Sequence, residues 1–84
     1  MQAALLYGNV PLGNMDSTSL GLIVRSERKA QKLKQAELAA VSGVGIRFIV
    51  DLEAGKPTLQ LEKVLRVITT LGCDITITPP TGGA

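Results

Sequence analysis

The sequence predicts a mainly α-helical domain of four or five short helices, followed by one β-strand. Between residues 17 and 72, apolar residues recur at spacings of three and four, which is the period of a helix with one buried face. Residues 73–78 instead alternate between polar and apolar, which is typical of a strand, and Pro79 and Pro80 end the alternation. A chain of 84 residues forms one domain with a small core.

Composition limits how so small a domain can be stabilised. Cys73 is the single cysteine and the chain has no histidine, so we expect no internal disulfide, no Cys/His metal site and no cofactor. No apolar run approaches the roughly 20 residues of a membrane span, and the first residues lack a basic signal-peptide region. We therefore expect a cytoplasmic protein without a membrane partner, stabilised by association of two copies.

Turn residues divide the chain into regions. Gly8, Asn9 and Pro11 favour a flexible N-terminal arm, because such residues break regular structure and chain termini fray. The expected regions are the arm at residues 1–16, a helical domain at 17–72, a strand at 73–78 and a disordered tail at 79–84.

The first two helices have recognisable boundaries. Asp16, Ser17 and Thr18 offer side-chain oxygens that can cap the start of a helix, which we expect to end near Leu33. A second helix is predicted over residues 35–42, because Gly43 can adopt the left-handed conformation that ends a helix. The residues expected to be buried on this second helix are Ala36, Leu38 and Ala39.

Two further helices follow. The third is predicted from about Gly45 to Ala54, with Ile49 and Leu52 turned inward. The fourth is expected to begin with Thr58 as its N-cap and to end at Gly72. Its apolar stripe consists of Leu61, Val64, Leu65, Ile68 and Leu71.

The second and third helices are predicted to form a helix-turn-helix. Each is too short to bury a face alone, so the two must pack across the turn, where Ala39 and Gly43 supply small residues. In this motif the second helix enters the major groove of DNA. Its outward positions are Ile46, Arg47, Val50 and Asp51.

The outward side chains of the third helix are suited to reading bases. Arg47 can donate two hydrogen bonds to guanine O6 and N7. Ile46 and Val50 can contact thymine methyl groups. Asp51 can accept from cytosine N4, although its charge would also repel phosphate. Residues 17–56 carry seven bases and four acids, and this positive excess favours the DNA backbone.

The strand at residues 73–78 has no partner within a helical domain, and an unpaired apolar edge favours aggregation. We expect Ile75, Thr76 and Ile77 to pair with the same residues of a second subunit across a two-fold axis. Pairing with the segment Ala3–Tyr7 is the alternative, since chain termini often lie close together.

Several motifs resemble a known family. The stretch Gln35-Ala36-Glu37-Leu38-Ala39, then Gly43-Val44 and Leu52-Glu53-Ala54-Gly55-Lys56, resembles the Xre/Cro-type helix-turn-helix repressors. The continuation Gly55-Lys56-Pro57-Thr58, then Leu65-Arg66-Val67 and Leu71-Gly72 before a terminal strand, is closer still to HipB-like antitoxins. The resemblance covers roughly residues 17–78 and implies a lambda-repressor-like fold.

The resemblance also implies roles for individual positions. It places Gly45, Ile46, Arg47 and Val50 on the base-reading face, with Asp51 beside them. It gives Gln35 contact with a phosphate or an outer base. Lys34 replaces the usual side-chain cap of the second helix and adds a positive charge for a phosphate. Lys56 is also expected to contact phosphate. A structural ion pair is implied between Arg28 and Glu53.

These observations favour a regulator over an enzyme. The chain lacks a histidine, a nucleophile elbow and a glycine-rich phosphate loop after a strand, so we expect no catalysis. The resemblance implies a homodimeric repressor that binds a palindromic operator on double-stranded DNA and restrains a HipA-like kinase toxin, as in type II toxin-antitoxin operons. The alternatives are a freestanding phage or metabolic repressor without a toxin, and a protein-interaction module with the same fold.

Overall fold

The computed structural model describes residues 15–80, together with the backbone of two short segments nearer the N-terminus. Those segments, β1 (Leu6–Tyr7) and β2 (Val10–Pro11), pair as antiparallel strands, with Leu6 opposite Pro11 and Tyr7 opposite Val10. The helices are α1 (Ser17–Ala30), α2 (Gln35–Ser42), α3 (Ile46–Glu53) and α4 (Leu61–Thr70). The predicted mainly helical fold is confirmed. None of the helices in the described part of the chain has the length and apolar character needed to cross a bilayer.

The core lies where the four helices meet. Helix α3 packs against α1 and α2, and α4 packs against α2. The side-chain amide of Gln31 donates to the carbonyl oxygen of Leu71 at 2.7 Å, which joins the ends of α1 and α4. The buried core residues are Val24, Leu38, Ala39, Ile49, Leu52, Val64, Val67, Ile68 and Leu71.

Helix α1 crosses the C-terminal end of α3 at a distance that only glycine permits. A Cβ atom on Gly21 would overlap the carbonyl oxygen of Leu52 and would lie 2.9 Å from that of Glu53. A Cβ on Gly55 would lie 2.9 Å from the Cα of Thr18. Since protein interiors are close-packed, larger residues at these two positions would separate α1 from α3.

The helix ends share one hydrogen-bond pattern. At the end of α2, Gly43 has φ 72° and the N–H of Val44 donates to the carbonyl of Ala39 at 3.0 Å. This is a Schellman motif, in which a left-handed residue turns the chain away from the helix axis. It confirms the role predicted for Gly43. Helix α1 ends in the same way with Lys32 at φ 60°.

The helix starts differ in how they are capped. Asp16 caps α1, as predicted, and its carboxylate accepts from the N–H of Ser19 at 2.8 Å. That hydrogen bond lowers the pKa of Asp16. Lys34 offers α2 no side-chain acceptor, as its ammonium group requires, and the Glu37 carboxylate instead accepts from the N–H of Lys34 at 2.7 Å.

Three predicted details of the helices are wrong. Helix α1 ends at Ala30 rather than near Leu33, because Lys32 adopts the left-handed conformation. Helix α4 begins at Leu61 with Gln60 as its N-cap, rather than at Thr58. Leu59 packs against the core in the preceding segment, which delays the start of the helix. Ala36 is exposed, since it lies about 200° around α2 from buried Leu38.

The apolar stripe of α4 is only partly buried. Val64, Ile68 and Leu71 reach the core as predicted, together with Val67. Leu61 and Leu65 do not, and 67% and 41% of their surfaces are exposed. The chain alone therefore leaves one edge of the stripe open to solvent.

The strand predicted over residues 73–78 is absent, so Ile75, Thr76 and Ile77 belong to no ladder within the chain. A strand requires a second strand for its hydrogen bonds, and no residue between 15 and 80 supplies one. Of the alternative partner Ala3–Tyr7, the described residues Leu6 and Tyr7 pair with Val10–Pro11. Most of the arm predicted at residues 1–16, and residues 81–84 of the predicted tail, lie outside the described residues.

Candidate nucleic-acid interface

Helix α3 has one buried face and one exposed face. Ile49 and Leu52 are 0% and 3% exposed in the core. On the opposite side Ile46 is exposed, Val50 is half-buried, and the Arg47 side chain is 81% exposed. The orientation predicted for these five residues is confirmed, so the helix presents one arginine and two aliphatic side chains to a partner.

Arg47 belongs to a chain of three charged groups along the exposed side of α3. Its Nε lies 3.2 Å from Oδ1 of Asp51, one helical turn further on. The other carboxylate oxygen of Asp51 lies 3.8 Å from the Nζ of Lys56. Gly55, at φ 86°, turns the chain so that the N–H of Lys56 donates to the Asp51 carbonyl at 3.0 Å. The end of α3 therefore brings Lys56 back beside Asp51.

Gly45 is the N-cap of α3 and leaves its start open. A Cβ on Gly45 would meet no atom within 4 Å among the described residues. The first N–H groups of a helix have no partner within that helix, and the helix dipole makes them attractive to an anion. A phosphate or a base edge can therefore approach the backbone here.

A recess of about 530 Å³ lies between α1, the start of α2 and the exposed side of α3. Two of the predicted phosphate-binding residues, Lys34 and Gln35, share this recess with Val50 of the α3 face. The remaining lining residues are Arg25, Arg28, Glu53 and Ala54.

The predicted ion pair between Arg28 and Glu53 is confirmed and forms the inner wall of the recess. Arg28 donates from Nε and Nη2 to the two carboxylate oxygens of Glu53, at 2.6 and 3.0 Å. Its third bond runs from Nη1 to the carbonyl oxygen of Leu33, at 2.7 Å. The two side chains are 9% and 4% exposed. Hydrogen bonding to Glu53 raises the pKa of the Arg28 guanidinium, which stays charged.

The same carboxylate holds Gln35. The Gln35 Nε2 donates to Oε1 of Glu53 at 3.2 Å. One acid at the end of α3 is thereby bonded to side chains of α1 and of the first turn of α2. Because Gln35 is fixed by this bond, the start of α2 keeps a defined position relative to the exposed face of α3.

The structure divides the predicted site residues between two groups beside α3. Lys34 and Gln35 lie at the recess, beside Val50, while Lys56 lies with Arg47 and Asp51 on the exposed side. Within residues 15–80, no three His, Cys, Asp or Glu side chains come together as metal ligands would.

The sequence reasoning missed Arg25. Its side chain lines the recess with Lys34 and Gln35, and it forms no ion pair with any described residue. The signal was its position three residues before Arg28, because residues three apart lie on the same side of a helix.

Two basic side chains of α4 contact the turn between α2 and α3 and the Phe48 ring of α3. Nη1 of Arg66 lies 3.4 Å from the carbonyl oxygen of Gly43, to which it donates. The Nζ of Lys63 lies 6.0 Å from the centre of the Phe48 ring, at the outer range of a cation–π contact. Phe48 packs against the core, so it supports α3 from the inside.

Residues 24–77 match the helix-turn-helix family. An uncharacterized HTH-type transcriptional regulator, y4mF, of Sinorhizobium fredii (strain NBRC 101917 / NGR234) is 64% identical over 61 residues, which are 73% of this chain and 80% of that protein. The ImmF control region 10 kDa protein of Bacillus phage phi105 is 25% identical over 63 residues, covering 75% of this chain and 70% of that protein.

Two solved structures share the fold. The restriction-modification controller protein C.AhdI from Aeromonas hydrophila has a TM-score of 0.63 and 29% identity, covering 70% of this chain and 86% of that one. HipB, in the HipB-O4 20mer complex, has a TM-score of 0.71 and 20% identity, covering 79% of this chain and 93% of that one. The four-helix arrangement is thus common to all three chains.

We expect Glu53→Gln to lower the free energy of unfolding by about 3–5 kcal/mol, because Arg28 would remain buried without an opposite charge. Glu62→Gln is the matched control, since Glu62 pairs with Arg66 at 3.8 Å on the exposed side of α4. Exposed pairs of that kind contribute about 1 kcal/mol or less. Urea denaturation followed by circular dichroism measures both variants. Equal small losses would contradict a structural role for the buried pair.

Proposed function

The chain belongs to the Xre-type helix-turn-helix family of DNA-binding transcriptional regulators, and from that premise we propose that it is a sequence-specific repressor that binds a palindromic operator as a homodimer. The observation that carries the proposal is the exposed face of α3. There an arginine side chain with 81% exposure stands between two aliphatic residues, on a helix whose other face is buried. The relative with 64% identity is named an HTH-type transcriptional regulator, which supports the same role.

Base reading is assigned to the exposed side of α3. Arg47 donates to O6 and N7 of one guanine, the commonest specific contact in the major groove. Ile46 and Val50 contact thymine methyl groups on either side. Gly45 lets the DNA approach the start of the helix, because it has no side chain to keep the backbone away. Asp51 lies beside Arg47 on this side of the helix.

Phosphate contacts hold the reading helix in register. Lys34 and Gln35 bind a phosphate at the recess, where the N–H groups of the first turn of α2 add their partial positive charge. Lys56 binds a second phosphate beyond the end of α3. Contacts of this kind position a protein on DNA without reading sequence.

Dimerisation through residues 73–78 accounts for the apolar surface that the single chain leaves open. Ile75 and Ile77 are 52% and 88% exposed, and Leu61 and Leu65 of α4 are exposed as well. A strand shared with a second copy would supply the missing backbone partners. A two-fold axis there would place the two α3 helices about 34 Å apart, which is one turn of DNA.

The second part of the proposal is that the chain is the antitoxin of a HipA/HipB-like operon and restrains a kinase toxin. Its support is the resemblance of Gly55-Lys56-Pro57-Thr58 and Leu65-Arg66-Val67 to HipB-like antitoxins. The likeness to HipB in three dimensions concerns the fold. A freestanding repressor is the second candidate, because the other relatives are named as a phage control-region protein and a restriction-modification controller.

Co-purification distinguishes these two functions. If the chain is an antitoxin, a kinase-like reading frame should lie beside its gene, and the tagged chain expressed with that neighbour should elute as one complex from a sizing column. The same column run with an unrelated kinase is the control. A neighbour of another class, or two separate peaks, would favour the freestanding repressor.

We expect Arg47→Ala to weaken operator binding by about 1–3 kcal/mol and to relax the preference at one base pair. Lys34→Ala is the matched control, because it should weaken all DNA sequences alike and lower the salt slope of binding by about one unit. Fluorescence anisotropy on the operator and on random duplexes, at several salt concentrations, measures both effects. An equal loss of affinity on both duplexes for Arg47→Ala would make it a phosphate contact.

A chain that ends at Gly72 should be monomeric and should bind the operator much more weakly, because it lacks the strand that joins the subunits. A chain that ends at Pro80 is the matched control and should remain a dimer. Analytical ultracentrifugation gives the oligomeric state, and circular dichroism verifies that the helices are retained. A stable dimer without residues 73–80 would show that the subunits associate through their helices.

A further inference from the structure

We infer that Asp51 acts on the operator through Arg47, as a positioning residue that holds the arginine for one base pair, and that it reads no base of its own. This inference rests on the proposed function, in which Arg47 recognises a guanine. It assigns Asp51 a different task from the other side chains on the exposed side of α3.

Both carboxylate oxygens of Asp51 face cations of the same chain. Oδ1 lies 3.2 Å from the Nε of Arg47, and Oδ2 lies 3.8 Å from the Nζ of Lys56. The Asp51 side chain is only 19% exposed, whereas that of Arg47 is 81% exposed. A carboxylate that lies between two cations, on a side chain with little exposed surface, is poorly placed to accept from cytosine N4. Arg47 is therefore the group that reaches DNA first.

The contact at Nε determines which donors Arg47 has left. The guanidinium group is planar and carries five N–H donors in a fixed fork. Nε is the guanidinium atom nearest to Asp51, at 3.2 Å from Oδ1, so the outer edge with the four N–H groups of Nη1 and Nη2 remains for DNA. Two donors in one plane match O6 and N7 of guanine. The ion pair thus restricts the position of a side chain that would otherwise sample many rotamers.

Lys56 makes an acid tolerable so close to phosphates. With one carboxylate between two cations, the group of Arg47, Asp51 and Lys56 keeps one net positive charge. The backbone of Lys56 is held beside Asp51, because its N–H donates to the carbonyl of Asp51 at 3.0 Å. When DNA excludes water from this side of α3, the attraction between Asp51 and Arg47 strengthens as the local dielectric constant falls.

A second ion pair between residues four apart on a helix shows that this spacing alone does not hold an arginine in position. Glu62 and Arg66 are also four residues apart, but their atoms lie 3.8 Å from each other and both side chains are exposed. Such a pair is screened by water and holds neither partner. The Asp51 side chain, in contrast, is only 19% exposed and lies between the cations of Arg47 and Lys56.

The test compares three full-length variants: Arg47→Ala, Asp51→Ala and the double variant. The probes are the duplex that the unmodified chain selects from a random library, its single-base-pair substitutions, and a random duplex. We expect Asp51→Ala to weaken binding to the selected duplex about tenfold and to relax preference at the base pair that Arg47→Ala relaxes. The double variant should show the same sequence preference as Arg47→Ala alone, because Asp51 acts only through Arg47. Binding to random duplex should rise for Asp51→Ala, because a negative charge is removed.

Glu62→Ala is the control and should leave the preference unchanged. Asp51→Glu should regain part of the selectivity, since a longer acid can still reach Nε. The inference is overturned if Asp51→Ala relaxes a different base pair, which would make Asp51 a reader, or if it strengthens binding to all duplexes alike. If Arg47→Ala itself changes no preference, the proposed function fails instead. Circular dichroism of each variant verifies that the helices are retained.

Discussion

The buried ion pair between Arg28 and Glu53 fixes the arrangement on which the rest of the molecule depends. Helices α2 and α3 have eight residues each, and helices that short are not stable alone in water. Their relative position must come from contacts between them. The Glu53 carboxylate accepts from Arg28 of α1 and from Gln35 of α2 while it belongs to α3. Arg28 also donates to the Leu33 carbonyl, so each of its three guanidinium nitrogens has an acceptor.

Close packing of α1 on α3 makes this junction possible. Gly21 lies against the last carbonyl groups of α3, and Gly55 lies against Thr18 at the start of α1. A buried ion pair by itself adds little net stability, because removal of two charges from water offsets most of their attraction. The apolar core supplies the stability, and the pair restricts how α1 and α3 can cross. Both glycines and the pair therefore enforce one crossing, which leaves the opposite side of α3 free for DNA.

The sequence predicted the elements whose signals are local. Asp16 as a cap, Gly43 as a turn residue and the inward direction of Ile49 and Leu52 follow from capping, backbone sterics and helical period. It failed where the answer depends on a partner. An apolar stripe shows that α4 has a face to bury, but not whether this chain or a second copy covers it. Leu61 is exposed and residues 73–78 form no strand, because no described residue of this chain covers the one or pairs with the other. Arg25 was not predicted as a site residue, because the order of charges along the sequence does not show which side chains line a recess between helices.

The two acidic residues of α3 make different contacts. Asp51 and Glu53 are two residues apart, which places them about 200° from each other around the helix axis. Glu53 therefore points to the interior, where it bonds to Arg28, and Asp51 points to the exposed side, where it lies beside Arg47. The contact between Glu53 and Arg28 determines where α3 lies. The contact between Asp51 and Arg47 restricts where the arginine side chain lies. Since Gln35 shares the Glu53 carboxylate, the recess beside Lys34 and Gln35 keeps a defined position relative to α3 and Arg47. Under the proposed function, the fold therefore determines the distance between a phosphate bound at the recess and the base that Arg47 contacts.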